Sequence, residues 1–183
     1  YGYPAGRGLT WNAAGDDRQY DCTPMSESDL APHRCDFSFV SHQSKLPAVF
    51  LEEQFAATSA DAPLRRYMTC IHELLVRDFR ADPCTGCLRP AHLLLEEATR
   101  LTGIETRTIK SHDQLALFLL HPLAELIFRQ GTLEWVADYC DHTGHTLNLY
   151  GRGWDRHPRF ARYARGEAAN GVELRAIYQA SRV

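Results

Sequence analysis

The part of this chain that most constrains its fold is an apolar strand that runs into a glycine turn and is followed by a helix. Leu147–Tyr150 has the composition of the strand and Gly151–Gly153 that of the turn. Gly171 begins the helix, and Ser181 starts another strand after it. Open α/β sheets bind phosphorylated and nucleotide ligands where such strands end. This order of elements therefore predicts a nucleotide-binding half-domain.

A second strand is predicted nearer the N-terminus, over Asp36–Ser41, where apolar and polar residues alternate. Apolar residues at helical spacing then predict three helices, over Pro47–Ala57, over 62–80 and from Pro90 to Gly103. Ser111 can cap a fourth helix, which Pro122 either kinks or starts afresh. A further helix is predicted over Leu133–Cys140 and stops near Gly144. Roughly a hundred residues thus separate the two strands, whereas a whole βαβ unit needs about 30. We therefore predict an α/β domain over 35–183 with an all-helical insertion at about 58–130.

The N-terminal stretch 1–34 is rich in Gly, Pro, Ser, Asp and Asn and lacks periodicity. Such a composition predicts an extended linker that arrives from a preceding domain. The chain starts with Tyr1 and ends inside a periodic pattern. We therefore expect a domain cut from a longer protein and truncated at its C-terminus.

Composition narrows the class of protein. The 183 residues carry a net charge of -3, and nucleic-acid-binding domains usually carry a basic excess. Charged and proline residues interrupt the most apolar run, Leu115–Phe128, so it predicts a buried helix and no membrane span. The six cysteines are too scattered for a disulfide scaffold, and no signal peptide is recognised. We therefore expect a cytoplasmic protein that binds no nucleic acid.

Three stretches carry a resemblance to a known family: Cys35–Val40, Leu149–Trp154 and Glu173–Val183. Together they resemble the spore-maturation (CgeB-like) glycosyltransferases, which are similar to the group-1 and group-4 glycosyltransferases of GT-B architecture. The resemblance covers the two ends of the domain, and the helical middle has no counterpart in it. It implies an α/β fold, a Rossmann-like GT-B half-domain with a partial parallel sheet, here with a large all-helical insertion.

In those families this part of the protein binds the donor, so the resemblance implies transfer of a sugar from a nucleotide-sugar to an acceptor hydroxyl or glycan. The acceptor, whether glycan, protein or small molecule, stays open, and no metal or other cofactor is required. Any catalytic base is expected on an acceptor domain outside this chain. The implied donor-binding residues are Ser41, His42, Gly151, Arg152, Gly153, Trp154, Gly171, Val172 and Tyr178.

The same residues also have purely structural interpretations. Gly151–Gly153 can simply form a turn that leaves a strand, with Trp154 in the core. The loop 41–44 can cap the next helix, and Asn170 can cap the helix that begins at Gly171. Tyr178 shares a helix face with apolar neighbours, which predicts core packing. The free amides of the glycine turn and the guanidinium of Arg152 are the groups that favour a phosphate site.

Cys84 and Cys87 form a Cys-x-x-Cys pair, a pattern found in zinc sites and thiol-exchange sites. No second ligand pair lies at a standard spacing, and predicted helices flank the motif. We therefore predict an ordinary turn between two helices.

An alternative function belongs to a different class of protein. The chain can be a non-catalytic Rossmann-like module whose helical insertion docks a partner or a second copy of itself. The sequence Val40-Ser41-His42, which stands where many of the similar enzymes have Phe-Val-Gly, favours this alternative. Binding of a nucleoside diphosphate distinguishes the two hypotheses, because only the glycosyltransferase requires it.

Overall fold

A computed structural model describes residues 23–82, 89–104 and 112–182, which belong to two compact units. One unit combines the described residues 23–43 and 140–182 and carries the sheet, so we call it the sheet unit. The other, Ser44–Tyr139, is built from helices, and we call it the helical unit. The fold is mostly helical with a small parallel sheet, which is compatible with the predicted α/β class.

The sheet unit is organised around two parallel strands. β1 (Phe37–Val40) pairs with β2 (Leu147–Tyr150), with Phe37 opposite Leu147. On the other edge of β2, Leu149 forms a parallel bridge with Ala164, and the amide of Arg165 donates to the Leu149 carbonyl at 2.9 Å. Both edges of β2 are therefore paired with other segments of the chain, and all four residues of β2 are buried. The strands predicted over Asp36–Ser41 and Leu147–Tyr150 are confirmed, whereas the strand predicted to start at Ser181 is present among the described residues only as a one-residue parallel bridge between Ser181 and Cys35.

Residues 27–33 are helical, contrary to the predicted extended linker. Ser26 caps the single turn α1 (Glu27–Leu30), and a 3₁₀ turn (Ala31–His33) follows it. The Gln179 side chain holds this N-terminal segment, since its oxygen accepts from the Met25 amide and its nitrogen donates to the Thr23 carbonyl, both at 3.0 Å. The rest of the predicted linker, 1–22, lies outside the described residues.

The helical unit contains the helices that the apolar spacing predicts. They are α2 (Pro47–Ala57), α3 (Ala62–Ala81), α4 (Ala91–Thr102), the single turn α5 (His112–Leu115), a π-helical turn (Ala116–Leu120) and most of α6 (His121–Thr143). Gly103 ends α4 in the left-handed conformation, as predicted. No helix of the described ranges is long and apolar enough to cross a membrane. Ser111 and the Cys84/Cys87 pair lie outside the described residues.

Helix α6 corrects one prediction. The sequence predicts a separate helix over Leu133–Cys140, but the chain is helical from His121 to Thr143 without a break. The close approach of Phe79 explains why glycine occupies position 131 within this helix, since an added Cβ would lie 2.2 Å from the Phe79 ring. Gly131 therefore makes room for an aromatic ring and does not end a helix.

The sequence allows Pro122 either to kink the helix or to start it afresh, and in the structure α5, the π-helical turn and α6 follow one another with no gap at Pro122. Pro122 lacks an amide donor, and proline is tolerated in the first turn of a helix. Here α6 begins at His121, whose own amide donates to the Ala116 carbonyl five residues earlier.

A charged network joins α3 to α4. Arg77 donates to Glu97 at 2.8 Å, and Arg89 contacts Glu97 at 2.6 Å and Asp78 at 3.1 Å. Hydrogen bonds from Arg77 and then from Arg89 lower the pKa of Glu97 to about 2. Because an unperturbed Glu has a pKa of about 4.3, this carboxylate stabilises the fold above that pH. Its contribution is lost as the pH falls towards the pKa of the folded state.

Glu97→Gln is expected to lower the free energy of unfolding by about 1 kcal/mol near neutral pH, because it removes charge-assisted bonds to partly exposed arginines. Urea unfolding at neutral pH and at about pH 3 measures the effect, and the variant should lose less stability on acidification than the wild type. Glu96→Gln, at an exposed neighbouring position, is the control. Equal acid sensitivity of the wild type and Glu97→Gln would contradict this account.

Candidate functional site

A cleft of about 800 Å³ lies in the sheet unit at the carboxyl ends of the parallel segments. Three loops form it: one follows β1, one follows β2, and one follows the bridge at Ala164. We call it the carboxyl-edge cleft. Its lining residues are His42, Gln43, Gly151, Arg152, Gly153, Asp155, Arg156, Ala164, Gly166 and Glu167.

Backbone hydrogen bonds join the loops after β1 and β2. The Ser41 amide donates to the Tyr150 carbonyl at 2.9 Å, which continues the strand pairing by one residue. The Gln43 amide donates to the Arg152 carbonyl at 2.8 Å, and the Arg152 amide donates to Nδ1 of His42 at 3.0 Å. Both polar backbone groups of Arg152 are therefore held by consecutive residues of the opposite loop.

Gly151 lies at the closest point between the two loops. Its φ of 133° is one that other residues rarely adopt, and an added Cβ would lie 2.4 Å from the Ser41 carbonyl oxygen. Its amide donates to the Gly166 carbonyl at 2.7 Å, which ties the third loop to the second. Only glycine fits this position, because backbone, not a movable side chain, occupies the space of a Cβ.

Trp154 joins the loop after β2 to the end of β1. Its indole Nε1 donates to the Ser41 carbonyl at 2.7 Å, and its ring packs edge-on against Phe39 and Phe160. Only 2% of its surface is exposed, so its ring does not offer a face to a ligand. Of the interpretations that the sequence allows, Trp154 as a core residue that fixes the turn is confirmed.

The prediction of free amides in the glycine turn is wrong for two of them. The Gly151 amide is bonded to Gly166 and the Arg152 amide to His42, so neither is available to a ligand without a rearrangement. Within the part of the chain that the structure describes, the Gly153 amide makes no hydrogen bond. Gly153 has a φ of 92° and lines the cleft. The turn therefore offers one amide, and side chains must supply the other donors.

Two arginine side chains provide the positive charge of the cleft. The Arg152 side chain is 71% exposed, and its Nε lies 3.5 Å from the Glu167 carboxylate. Arg156 is 89% exposed, and its Nε lies 3.8 Å from its neighbour Asp155. Exposed ion pairs of this length are weak. Both guanidinium groups can therefore exchange a protein carboxylate for a bound anion at little cost.

The structure brings together some of the predicted donor-binding residues and not others. His42 and Gly151–Gly153 line the carboxyl-edge cleft, and Ser41 supplies the backbone behind it. Gly171, Val172 and Tyr178 are not among its lining residues.

The start of helix α7 (Val172–Ala180) differs in detail from the expected one. Gly171, with a φ of 89°, occupies the cap position that the sequence assigns to Asn170. Predicted core packing of Tyr178 is also wrong, since 56% of its surface is exposed. The face that α7 buries consists of Ala176, Ile177 and Ala180, and this face places Tyr178 outward.

Sequence reasoning missed the third loop and the residues after Trp154. The loop around Gly166 and Glu167 follows a one-residue bridge at Ala164, which is too short to show any alternation. Arg156 follows shortly after the glycine turn, so the sequence already offers it as a second cation beside Arg152. The signal available was a cluster of arginines between 152 and 165 in a chain of net negative charge.

Among the described residues, no group of three His, Cys, Asp or Glu side chains is placed to hold a metal ion. The chain matches no family model, no curated protein and no solved structure. The features of the site that bear on its function are the strand ends, the positive-φ glycines and two exposed arginines.

Proposed function

We propose that the sheet unit is the donor-binding part of a glycosyltransferase of GT-B architecture, and that the carboxyl-edge cleft holds the diphosphate of a nucleotide-sugar. The position of the cleft is the observation that supports this most. Ligands of open α/β sheets bind beyond the carboxyl ends of the strands, and loops after three parallel segments meet there. Its volume of about 800 Å³ falls within the usual range of small-molecule sites.

Two side chains of the cleft suit an anionic ligand, although the lining also contains the carboxylates of Asp155 and Glu167. Arg152 and Arg156 present planar guanidinium groups, which suit phosphate oxygens and form charge-assisted hydrogen bonds with them. In sugar transfer, the bond from the anomeric carbon to the diphosphate breaks and a bond to the acceptor oxygen forms, while the acceptor proton passes to a base. The leaving diphosphate gains negative charge, and fixed cations stabilise that charge. This scheme gives the arginines an electrostatic role that requires no metal.

Arg152→Ala is expected to weaken the binding of a nucleoside diphosphate by about 10- to 100-fold, the loss that follows when charge-assisted hydrogen bonds are removed. Calorimetric titration with UDP, GDP and ADP measures the effect and identifies the base that the protein accepts. Arg34→Ala, an exposed arginine of the sheet unit that does not line the cleft, is the matched control. Absence of binding of all three nucleotides to the folded wild type would refute the proposed function.

A second candidate function is the non-catalytic interaction module, and one observation favours it. Two large apolar side chains of the π-helical turn, Leu117 and Phe118, are exposed, the latter with 63% of its surface accessible. Exposed apolar groups that cluster on a surface commonly mark an interface. Under this hypothesis none of the three nucleotides binds, so the same titration separates the two candidates.

A further inference from the structure

We propose that His42 is a positioning residue that holds Arg152 in place through Nδ1. This inference rests on the proposed function, because it describes how the carboxyl-edge cleft presents its central arginine to an anion. It assigns to His42 a role other than the direct donor contact that the family resemblance implies.

The first observation is the hydrogen bond itself. The Arg152 amide donates to Nδ1 of His42 at 3.0 Å, although the two residues are 110 positions apart in the sequence. An imidazole nitrogen that accepts a hydrogen bond carries no proton, so the hydrogen of the neutral ring lies on Nε2. The bond therefore specifies one tautomer of His42 and uses the nitrogen nearer to the backbone.

The second observation is the flexibility that this bond has to oppose. Arg152 lies between Gly151 and Gly153, and glycine loses more conformational freedom on folding than any other residue. Its side chain is largely exposed and packs against little. The hydrogen bonds of the Arg152 amide to His42 and of the Arg152 carbonyl to Gln43 fix the peptide groups from which the guanidinium extends.

These observations define what the positioning contributes. If the loop is already ordered before the ligand binds, binding does not have to reduce the loop's conformational entropy. The affinity for the ligand is therefore higher. Removal of the His42 ring should therefore weaken anion binding even though no positive charge is lost. The exchange of the Arg152 amide with solvent should accelerate at the same time, because its acceptor is gone.

Two substitutions separate positioning from ligand contact. In His42→Asn the side-chain oxygen is bonded to Cγ, as Nδ1 is in histidine, so it can accept from the Arg152 amide. In His42→Gln the oxygen lies one bond farther out and resembles Nε2 instead. If His42 positions Arg152, asparagine restores the function of the ring, whereas if His42 contacts the ligand through Nε2, glutamine does.

The experiment measures hydrogen exchange of the Arg152 amide by NMR and titration with UDP, GDP and ADP. The variants are His42→Ala, His42→Asn and His42→Gln, with His142→Ala, an exposed histidine of the sheet unit outside the cleft, as the control. We expect His42→Ala and His42→Gln to weaken binding and to accelerate Arg152 exchange, each by about 3- to 10-fold, and His42→Asn to stay close to the wild type in both. The ¹⁵N shifts of the wild-type ring should show Nδ1 unprotonated.

Two results would overturn the inference. One is an Arg152 amide that exchanges equally fast in the wild type and in folded His42→Ala. The other is rescue of nucleotide binding by His42→Gln and not by His42→Asn. If the wild type binds no nucleoside diphosphate, the proposed function fails, and the exchange measurements still decide whether His42 positions Arg152.

Discussion

Gly151→Ala is expected to destabilise the sheet unit by about 3 to 4 kcal/mol, a loss at the upper end of single substitutions. The methyl group would meet the Ser41 carbonyl oxygen at 2.4 Å and the His42 amide nitrogen at 2.8 Å. Neither is the end of a flexible side chain, so the two loops must separate. The φ of 133° adds strain for any residue other than glycine. We expect the hydrogen bonds between the loops to break with this separation.

Chemical denaturation of the two proteins measures the loss, and the natural control is Gly144→Ala. Gly144 also has a positive φ, 77°, but an added Cβ would meet nothing within 4 Å. The control therefore isolates backbone strain, which costs about 1 kcal/mol at such a position. Equal destabilisation by the two substitutions would show that the contact with Ser41 has no energetic weight. Nucleotide affinity should fall in Gly151→Ala only.

Phe79→Ala is expected to lower the stability of the helical unit by about 3 to 5 kcal/mol, the usual loss for a buried phenylalanine. The ring is 4% exposed, stacks on Trp135 with centroids 4.7 Å apart, and meets Phe128 edge-on. Thermal unfolding of the variant measures the loss. Phe118→Ala, which truncates an exposed phenylalanine of the same unit, should change stability by less than about 0.5 kcal/mol.

A double-mutant cycle makes this prediction sharper. In the wild type, Gly131→Ala should destabilise by about 1 to 3 kcal/mol, because its methyl group would lie 2.2 Å from the Phe79 ring. In the Phe79→Ala background the obstacle is gone, and alanine should stabilise the helix by about 0.5 to 1 kcal/mol relative to glycine. A Gly131→Ala effect of the same sign in both backgrounds would contradict the proposed contact.

The strands and most helices could be predicted because their signals are local. Leu147–Tyr150 is a short, mostly apolar segment of a length that suits a strand. Pro47–Ala57 begins at a proline, and its apolar residues follow helical spacing. Gly131 shows where local reasoning ends. A glycine inside a helical pattern is tolerated but lowers helix propensity, and only the presence of Phe79, far away in the sequence, explains why glycine stands at this position.

The site could be predicted only in part for the same reason. The glycine turn and Arg152 are visible in the sequence, since glycine and arginine have distinctive conformational and chemical properties. That His42 would occupy the Arg152 amide depends on strand register, which one sequence does not specify. Glu167 reaches the cleft through a single bridge at Ala164, for which no pattern exists. The exposure of Tyr178 depends on which side of α7 meets the core.

The parallel pairing of β1 with β2 has a consequence for how the protein acquires its structure. The partners are separated in the sequence by the whole helical unit, so contact order is high where the sheet forms and low within the helices. Chains form contacts between distant positions slowly, because a long loop must close before the contacts stabilise it. We expect the helices to form early in refolding and the carboxyl-edge cleft to assemble last. A cleft that binds its ligand would then indicate that the chain between β1 and β2 has folded far enough for the two strands to pair.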